Sequence, residues 1–381
     1  MSATVAEETA ISVSSLRKSF TTEEVLCGID LHIESGEFCV VVGPSGSGKS
    51  TLLKCIVGLL DYDDGWVTLN GKDVESVPVE DRNLGYVFQD FEERLFPHMT
   101  VEENVAFGLR NQEDGPSDSE INERITSMLE LLAISETRDN APGELSGGQQ
   151  QRVELARQLV RRCDVMLLDD PLADLDYKLQ KRMELEMRRI HEELDSTFLY
   201  VTHNQDQALK LADKLVVMNH GMIEQVGPPD EVYDNPNTAF VGRFVGDSNP
   251  LLGDVVEARG ERVAVETNAG RVLAKPRGDS ADGNRVLIIT RPEELVLGRG
   301  AMERDNAFDA RIESRTYTGE TTEFVVAVEG LKQEFEVVVP GNVGFDDLDR
   351  KTKIGWNAEQ GIAYDQLSVS DAVAVDDLIE V

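Results

Sequence analysis

The chain has 381 residues; 40% are hydrophobic and 31 are glycine, which supplies a sizeable core and excludes wholesale disorder. At roughly 100–200 residues per domain this length suits two or three domains. The net charge is -35, and it is spread: 45 acids and 22 bases in residues 1–246, 27 acids and 15 bases in residues 247–381, which excludes nucleic acid or an anionic lipid surface as a diffuse electrostatic partner.

The first ten residues, MSATVAEETA, are expected to fray, and they are acidic where an export signal would be basic and then apolar. A strand-rich opening follows. Ile29, Leu31 and Ile33 alternate, and Phe38 to Val42 is a continuous apolar run that reads as a buried central strand. Such runs fall far short of the ~18 apolar residues that span a bilayer. Residues 50–60 predict a helix with Leu52, Leu53 and Ile56 on one face. A polar loop, RNQEDGPSDSE, precedes a helical pattern over 120–134. Further helices are expected over 148–162 and 177–194, with strands over 164–168 and 197–201. Strands alternating with helices imply a parallel α/β sheet. From Pro250 the texture changes to short alternating segments such as RVAVET, RVLIITRP and EFEVVVP, separated by Gly, Asn and Asp. These imply an all-β domain of small barrel or sandwich type, with the boundary inside GDSNPLLG. Cys27, Cys39, Cys55 and Cys163 form no CxxC pair and read as reduced thiols of a cytoplasmic protein.

Only 12 of the 37 bases are lysine. Acid in both halves and a shortage of lysine favour an adaptation to high salt, where the Debye length is ~3 Å at 1 M and self-repulsion is screened. Ordinary acidic solubility is the alternative. The high-salt reading expects structure to be lost on desalting.

GPSGSGKST, Gly43 to Thr51, fits GxxxxGK[ST] between a strand and a helix. Gly43, Gly46 and Gly48 let the backbone N–H groups of Ser45, Gly46, Ser47 and Gly48, which follow Pro44, wrap phosphates without Cβ clashes. The helix N-terminus adds its positive dipole end. Lys49 reaches the β- and γ-phosphates, Ser50 can ligate Mg²⁺, and Thr51 can bond a phosphate oxygen. VMLLDD, Val165 to Asp170, is an apolar strand ending in two carboxylates. Asp169 is placed to hold Mg²⁺ through water, and Asp170 to face an attacking water.

Between these motifs lies ELSGGQQQRVELARQL, with Ser146, Gly147, Gly148 and Gln149, and downstream lies VTHNQDQA with His203. The ordered set resembles the ATP-binding subunit of an ABC (ATP-binding cassette) transporter over roughly residues 10–240. The resemblance implies an α/β P-loop NTPase cassette over residues 1–245, with a helical subdomain at about 90–163. An all-β small-barrel domain of OB-like (TOBE) type follows over 246–381. It implies ATP and Mg²⁺ as cofactors and a head-to-tail dimer of two copies with ATP sandwiched between them. Ser146 to Gln149 of one copy would then contact the γ-phosphate held by the other. A serine and exposed glycine N–H groups opening a helix make an anion site that needs a phosphate brought to it. Phe20 matches the aromatic that stacks on adenine, Gln89 the Mg²⁺- and water-sensing glutamine, and His203 the switch histidine on the γ-phosphate. Leu172 to Asp176 matches the loop touching the partner's phosphate site. Docking on two membrane permease subunits at the cytoplasmic face follows from the resemblance, as does an indirect dependence on an extracytoplasmic substrate-binding protein.

Two departures stand out. Most relatives have glutamate where Asp170 stands; aspartate is one methylene shorter, and a displacement near 1 Å can cost on the order of 10²-fold in rate. Either the backbone compensates or this ATPase is slow. Phe91 takes the place of the family's tyrosine, and the spacing from Gln89 to LFPH is two residues longer than in the family. In relatives this surface receives the permease; the acidic Glu92 and Glu93 here either tune that docking or belong to the general surface charge. FPHMT, ENVAFGL and VTHNQDQA, with the C-terminal β domain, resemble importers of polyamines, iron(III), inorganic anions and sugars. GDSNPLLGDVVE, IITRPEEL and YTGETTEF look most like the spermidine/putrescine branch; iron(III), sulfate, molybdate or tungstate, and sugar remain open. A reading of another class is a slow or non-hydrolysing nucleotide-gated regulatory module.

Overall fold

A computed structural model describes residues 9–88, 95–111, 115–173, 177–194, 196–278, 283–344 and 350–370. The chain divides into two compact units between Pro229 and Asp230.

The first unit runs β1 (Thr9–Phe20), β2 (Glu23–Glu34), β3 (Phe38–Val42), α1 (Lys49–Val57), β4 (Asp64–Leu69), β5 (Lys72–Asp73), β6 (Leu84–Val87), α2 (Val101–Arg110), α3 (Asp118–Leu131), α4 (Gly147–Leu159), β7 (Val165–Asp169), α5 (Tyr177–Leu194), β8 (Thr197–Thr202), α6 (Gln205–Leu211), β9 (Lys214–Asn219) and β10 (Met222–Gly227). Its main sheet has the order β10-β9-β3-β8-β7-β6. β3 pairs in parallel with both β8 and β9, and β7 in parallel with β6 and β8. Burial on both faces explains why β3, β7 and β8 read as continuous apolar runs, with every residue buried. β10 returns antiparallel on β9 across His220 and Gly221, both at positive φ (44° and 72°), a tight hairpin. The strand-rich opening forms a separate antiparallel sheet, β2-β1-β4-β5. Ile11, Leu31 and Val67 of that sheet share one core with Val41 and with Leu52 and Ile56 of α1. α1 stops at Val57, earlier than residue 60, because Gly58 turns left-handed at φ 87° and sends its N–H back to Lys54 and Cys55.

The second unit contains α7 (Pro229–Asp234, starting at the division), α8 (Ala239–Phe244), β11 (Asn249–Arg259), β12 (Arg262–Thr267), β13 (Gly270–Arg277), β14 (Arg285–Thr290), β15 (Val296–Leu297), β16 (Asn306–Tyr317), β17 (Thr321–Val328), β18 (Glu334–Pro340), β19 (Lys351–Trp356) and β20 (Gly361–Tyr364). β11-β12-β13-β20-β14 close into a barrel, and β15-β19-β16-β17-β18 form a second sheet. Val265 and Ile288 of the barrel and Phe324, Phe335 and Trp356 of the sheet belong to one buried cluster. The expected all-β domain is thus a small barrel joined to a five-stranded sheet.

The division lies earlier than the expected boundary between residues 245 and 246. Several ties hold residues 233–247 to the second unit. The Tyr364 hydroxyl donates to the Pro236 carbonyl at 3.2 Å, and the Ala239 and Phe240 N–H groups donate to the carbonyls of Gln366 and Leu367. The Arg291 guanidinium donates to the carbonyls of Gly242 (2.8 Å), Tyr233 (2.9 Å) and Asp247 (3.1 Å), and it lies 4.2 Å over the Tyr233 ring. A buried cation satisfied this fully ties residues 233–247 to the barrel side. Among the described residues no helix is long and apolar enough to cross a membrane.

Candidate nucleotide site

β3 delivers the chain to the glycine-rich loop. A Cβ on Gly43 would meet the Met218 carbonyl oxygen at 2.2 Å, and one on Gly48, at φ 98°, would meet the Val25 carbonyl oxygen at 2.8 Å. These two glycines are therefore demanded by the packing of the loop against β9 and β2. Ser45 and Gly46 are exposed at its crest, whereas Ser47 is buried. Gly48 precedes α1 with no side-chain cap, which leaves the first turn's N–H groups to an outside acceptor. Lys49 donates to the Gly43 carbonyl at 2.7 Å and the Pro44 carbonyl at 2.9 Å. Burial pulls its pKa down, while Asp170 and Asp169 push the other way. The ammonium thus closes on the loop's own oxygens and can exchange them for phosphate oxygens.

β7 and β8, adjacent in the sheet, bring in the carboxylates. Asp169 accepts from Ser50 Oγ at 2.9 Å and from the Tyr86 hydroxyl at 3.3 Å. Its pKa is raised, chiefly by burial. A hydroxyl and a carboxylate side by side are the hard-oxygen donors that suit Mg²⁺, which takes one or two protein ligands and completes its shell with water and phosphate. Ser50 and Asp169 fit that ion. Gln89, the third expected ligand, lies outside the described residues, as do Phe91, Glu92, Glu93 and Asp174 to Asp176.

Asp170 has φ 47°, a left-handed conformation that costs a non-glycine residue on the order of 1–3 kcal/mol and concentrates at functional sites. Its N–H donates to the Val201 carbonyl at 2.8 Å. Its carboxylate accepts from Thr202 Oγ1 at 3.2 Å and sits 2.5 Å from His203 Nδ1. Asp170 is buried, whereas the His203 side chain is 67% exposed. The pair therefore has a fixed inner member and an accessible outer one. Lys49, Ser50, Asp169, Asp170 and His203 are brought together at the carboxyl ends of parallel strands, where open α/β sheets hold ligands.

Sequence reasoning missed the support behind Asp170. Thr202 accepts the Asn204 N–H at 3.0 Å and lies 3.3 Å from Gln207 Oε1, to which the Tyr200 hydroxyl donates at 3.0 Å. Gln151 of α4 donates to the Pro171 carbonyl at 3.0 Å, just past Asp170. Thr202 stands next to His203 in VTHN and was legible as a neighbour; Gln151, Tyr200 and Gln207 carried no signal. Asn104 was also missed. It is fully buried, accepts from Phe96 N–H at 2.8 Å and donates to the carbonyls of Phe96, Met99 and Thr100, shaping the FPHMT loop.

Ser146 N-caps α4 in a capping box. It accepts from Gln149 N–H at 3.4 Å, and Gln149 Oε1 accepts from Ser146 N–H at 2.9 Å. Ser146 and Gly147 are exposed, Gly148 and Gln149 half-buried. Among the described residues no hydrogen bond joins this corner to the phosphate loop. Phe20 ends β1, 46% exposed as a residue, with Lys18 Nζ 5.6 Å from its ring centroid. Thr51 lies in the first turn of α1, half-buried.

A six-stranded sheet with this loop, paired strand-end acids and a capped SGGQ helix defines a P-loop ATPase of the cassette type, and the chain belongs to the ABC transporter family as an ATP-binding subunit. The family described as ABC transporter matches residues 26–173, and the TOBE domain matches residues 288–363. The spermidine/putrescine import ATP-binding protein PotA of Aliivibrio fischeri is 40% identical over 350 residues, covering 92% of each chain. Its counterpart in Marinobacter nauticus is 40% identical over 326 residues, covering 85% of this chain and 86% of its own. Among solved structures, the ATP-binding cassette MJ0796, a dimer in a post-hydrolysis state bound to ADP and Pi, is 28% identical with a TM-score of 0.53. It covers 57% of this chain and 98% of that one.

Proposed function

We propose that this chain energises the import of a polyamine such as spermidine or putrescine. Two copies would close head to tail on ATP at the cytoplasmic face of two permease subunits, supplied by an extracytoplasmic binding protein. The observation that carries the chemistry is the Asp170–His203 contact beside the Ser50–Asp169 pair and Lys49. The solute rests on the import named for relatives that match this chain across both of its units.

Mg²⁺, held by Ser50 and Asp169 with Gln89 as the expected third group, would neutralise charge on the β- and γ-phosphates. Lys49 leaves the loop carbonyls for phosphate oxygens, and the first-turn amides of α1 add their dipole. Asp170 accepts the proton of a water attacking the γ-phosphorus as the bond to the β-phosphate oxygen breaks, giving ADP and phosphate. His203 orients the Asp170 carboxylate and meets the γ-phosphate from its exposed side. Ser146 to Gln149 of the second copy complete the phosphate shell, and Phe20 stacks on adenine.

The left-handed backbone at Asp170 and its two side-chain contacts supply the positioning that a shorter carboxylate needs, which favours turnover over a non-hydrolysing module. Asp170→Asn is expected to lower ATP turnover by about 10²-fold or more while nucleotide binding persists and a closed dimer accumulates on sizing columns. Unchanged turnover would remove Asp170 from the reaction. For the solute, labelled spermidine uptake by cells carrying the complex must vanish with Lys49→Ala; uptake that continues sinks the polyamine reading and leaves the ATPase intact.

A further inference from the structure

The outer face of the β15-β19-β16-β17-β18 sheet carries an open cleft of about 1070 Å³, lined among others by Arg299, Arg311, Lys351 and Lys353. In a chain with 72 acids and 37 bases, four bases in one hollow run against the composition. Only two lining residues are acidic, Asp309 and Glu329.

Register explains how the charges gather. On β16 the buried residues Ala310 and Ile312 face the core, so Asp309 and Arg311 point outward. Arg311 is the direct cross-strand partner of Lys351 on β19 and of Ala327 on β17. Like charges directly opposite each other destabilise a sheet, and a small residue on the other side leaves space above them. One row over, Asp309 faces Lys353 and pairs with it at 2.8 Å. Arg311 leans along its own strand to Glu313 at 2.5 Å. No ion pair among the described residues engages Arg299 or Lys351. The row Lys351–Arg311–Ala327 is thus a cationic floor with room over it, edged by the apolar side chains of Leu297 and Met302.

We propose that this cleft binds an organic anion carrying two or more carboxylate or phosphate groups, with Arg311, Lys351 and Arg299 as its charge partners and Leu297 and Met302 against its carbon skeleton. The size of the hollow matches small-molecule sites, and Arg can take a carboxylate or phosphate bidentately. The sign of the charge rejects a polycation here, so the site is separate from any polyamine cargo. The proposal concerns the second unit alone and does not depend on the proposed solute.

The test is calorimetric titration of the full chain with citrate and, separately, fructose 1,6-bisphosphate, at ionic strength held constant with KCl. Saturable binding of at least one is expected, weakened about tenfold or more in Arg311→Gln/Lys351→Gln, as loss of charge-assisted contacts implies. Which of the two binds tells carboxylate from phosphate chemistry. Arg311→Lys should retain most of the affinity, while basal ATP turnover and circular dichroism stay unchanged in every variant, because these exposed side chains belong to neither the core nor the nucleotide site. Absence of saturable binding by both anions overturns the proposal, as does equal affinity in the double variant or tighter binding of spermidine that the double variant abolishes.

Discussion

At the start of α1 the glycine-rich corner is filled by its own lysine; at the start of α4 the glycine-rich corner is closed on itself. Lys49 donates to the Gly43 and Pro44 carbonyls inside a loop whose glycines are pinned by β2 and β9. Ser146 and Gln149 instead satisfy each other's backbone N–H groups and stand toward solvent. The first corner has acids delivered to it by neighbouring strands of the same chain, through Ser50–Asp169 and Asp170–His203. The second is joined to no group of that site among the described residues. The described groups of the first corner thus gather within one chain, whereas the second corner is capped on its own and faces solvent, the division that the proposed ATP sandwich requires.

The largest effect that would sharpen this contrast is at Lys49. Lys49→Ala removes the cation from the phosphates and also leaves two loop carbonyls without their donor. Turnover is expected to fall by about 10²–10³-fold, the loss typical of one transition-state charge partner, with nucleotide affinity falling as well in fluorescence titrations. Equal affinity in the variant would mean that the loop amides alone hold the phosphates. At the other corner Ser146→Asp separates capping from phosphate contact. Aspartate caps a helix about as well as serine, where alanine would cost about 1 kcal/mol. Thermal stability should hardly move, yet a carboxylate facing a phosphate should cut turnover by about tenfold or more while binding of ATP to the single chain persists. Undiminished turnover would break the comparison, since the SGGQ corner would then touch no phosphate.

The same contrast governs what could be read from the residues. Gly43 to Thr51, Asp169 and His203 were legible because a short motif at a strand end fixes its own geometry. Asp170 was legible as a carboxylate, but its left-handed backbone and its support by Thr202 depend on β7 and β8 lying side by side, which no local pattern states. The contact division falls before the expected boundary for a related reason. Residues 233–247 have helical texture, and long-range bonds assign them to the second unit: Arg291 to their carbonyls, Tyr364 to the Pro236 carbonyl, and the Ala239 and Phe240 N–H groups to the carbonyls of Gln366 and Leu367. The cationic row of Lys351 and Arg311 was hidden as well, because a one-residue change of register would have faced Lys351 with an uncharged Ala310 instead.

Salt gives the smallest and most selective handle on the two corners. Each copy carries a net charge of -35, so closing two copies brings strongly like-charged surfaces together, whereas ATP enters the first corner against a local lysine and a helix N-terminus. Raising salt shortens the Debye length from ~10 Å at 0.1 M to ~3 Å at 1 M and screens repulsion between exposed surfaces more than contacts inside a buried loop. Turnover and ATP-dependent dimerisation should therefore rise by several-fold between 0.1 M and 1–2 M KCl, while ATP affinity of the Asp170→Asn single chain, titrated at a concentration too low for dimers, changes less. Circular dichroism across the same series tells dimer repulsion from loss of fold: a spectrum that collapses in dilute buffer places the salt requirement in the fold of each copy. If both spectrum and turnover are flat from dilute buffer to molar salt, the acidic surface is ordinary solubility, and charge does not distinguish the shared corner from the self-contained one.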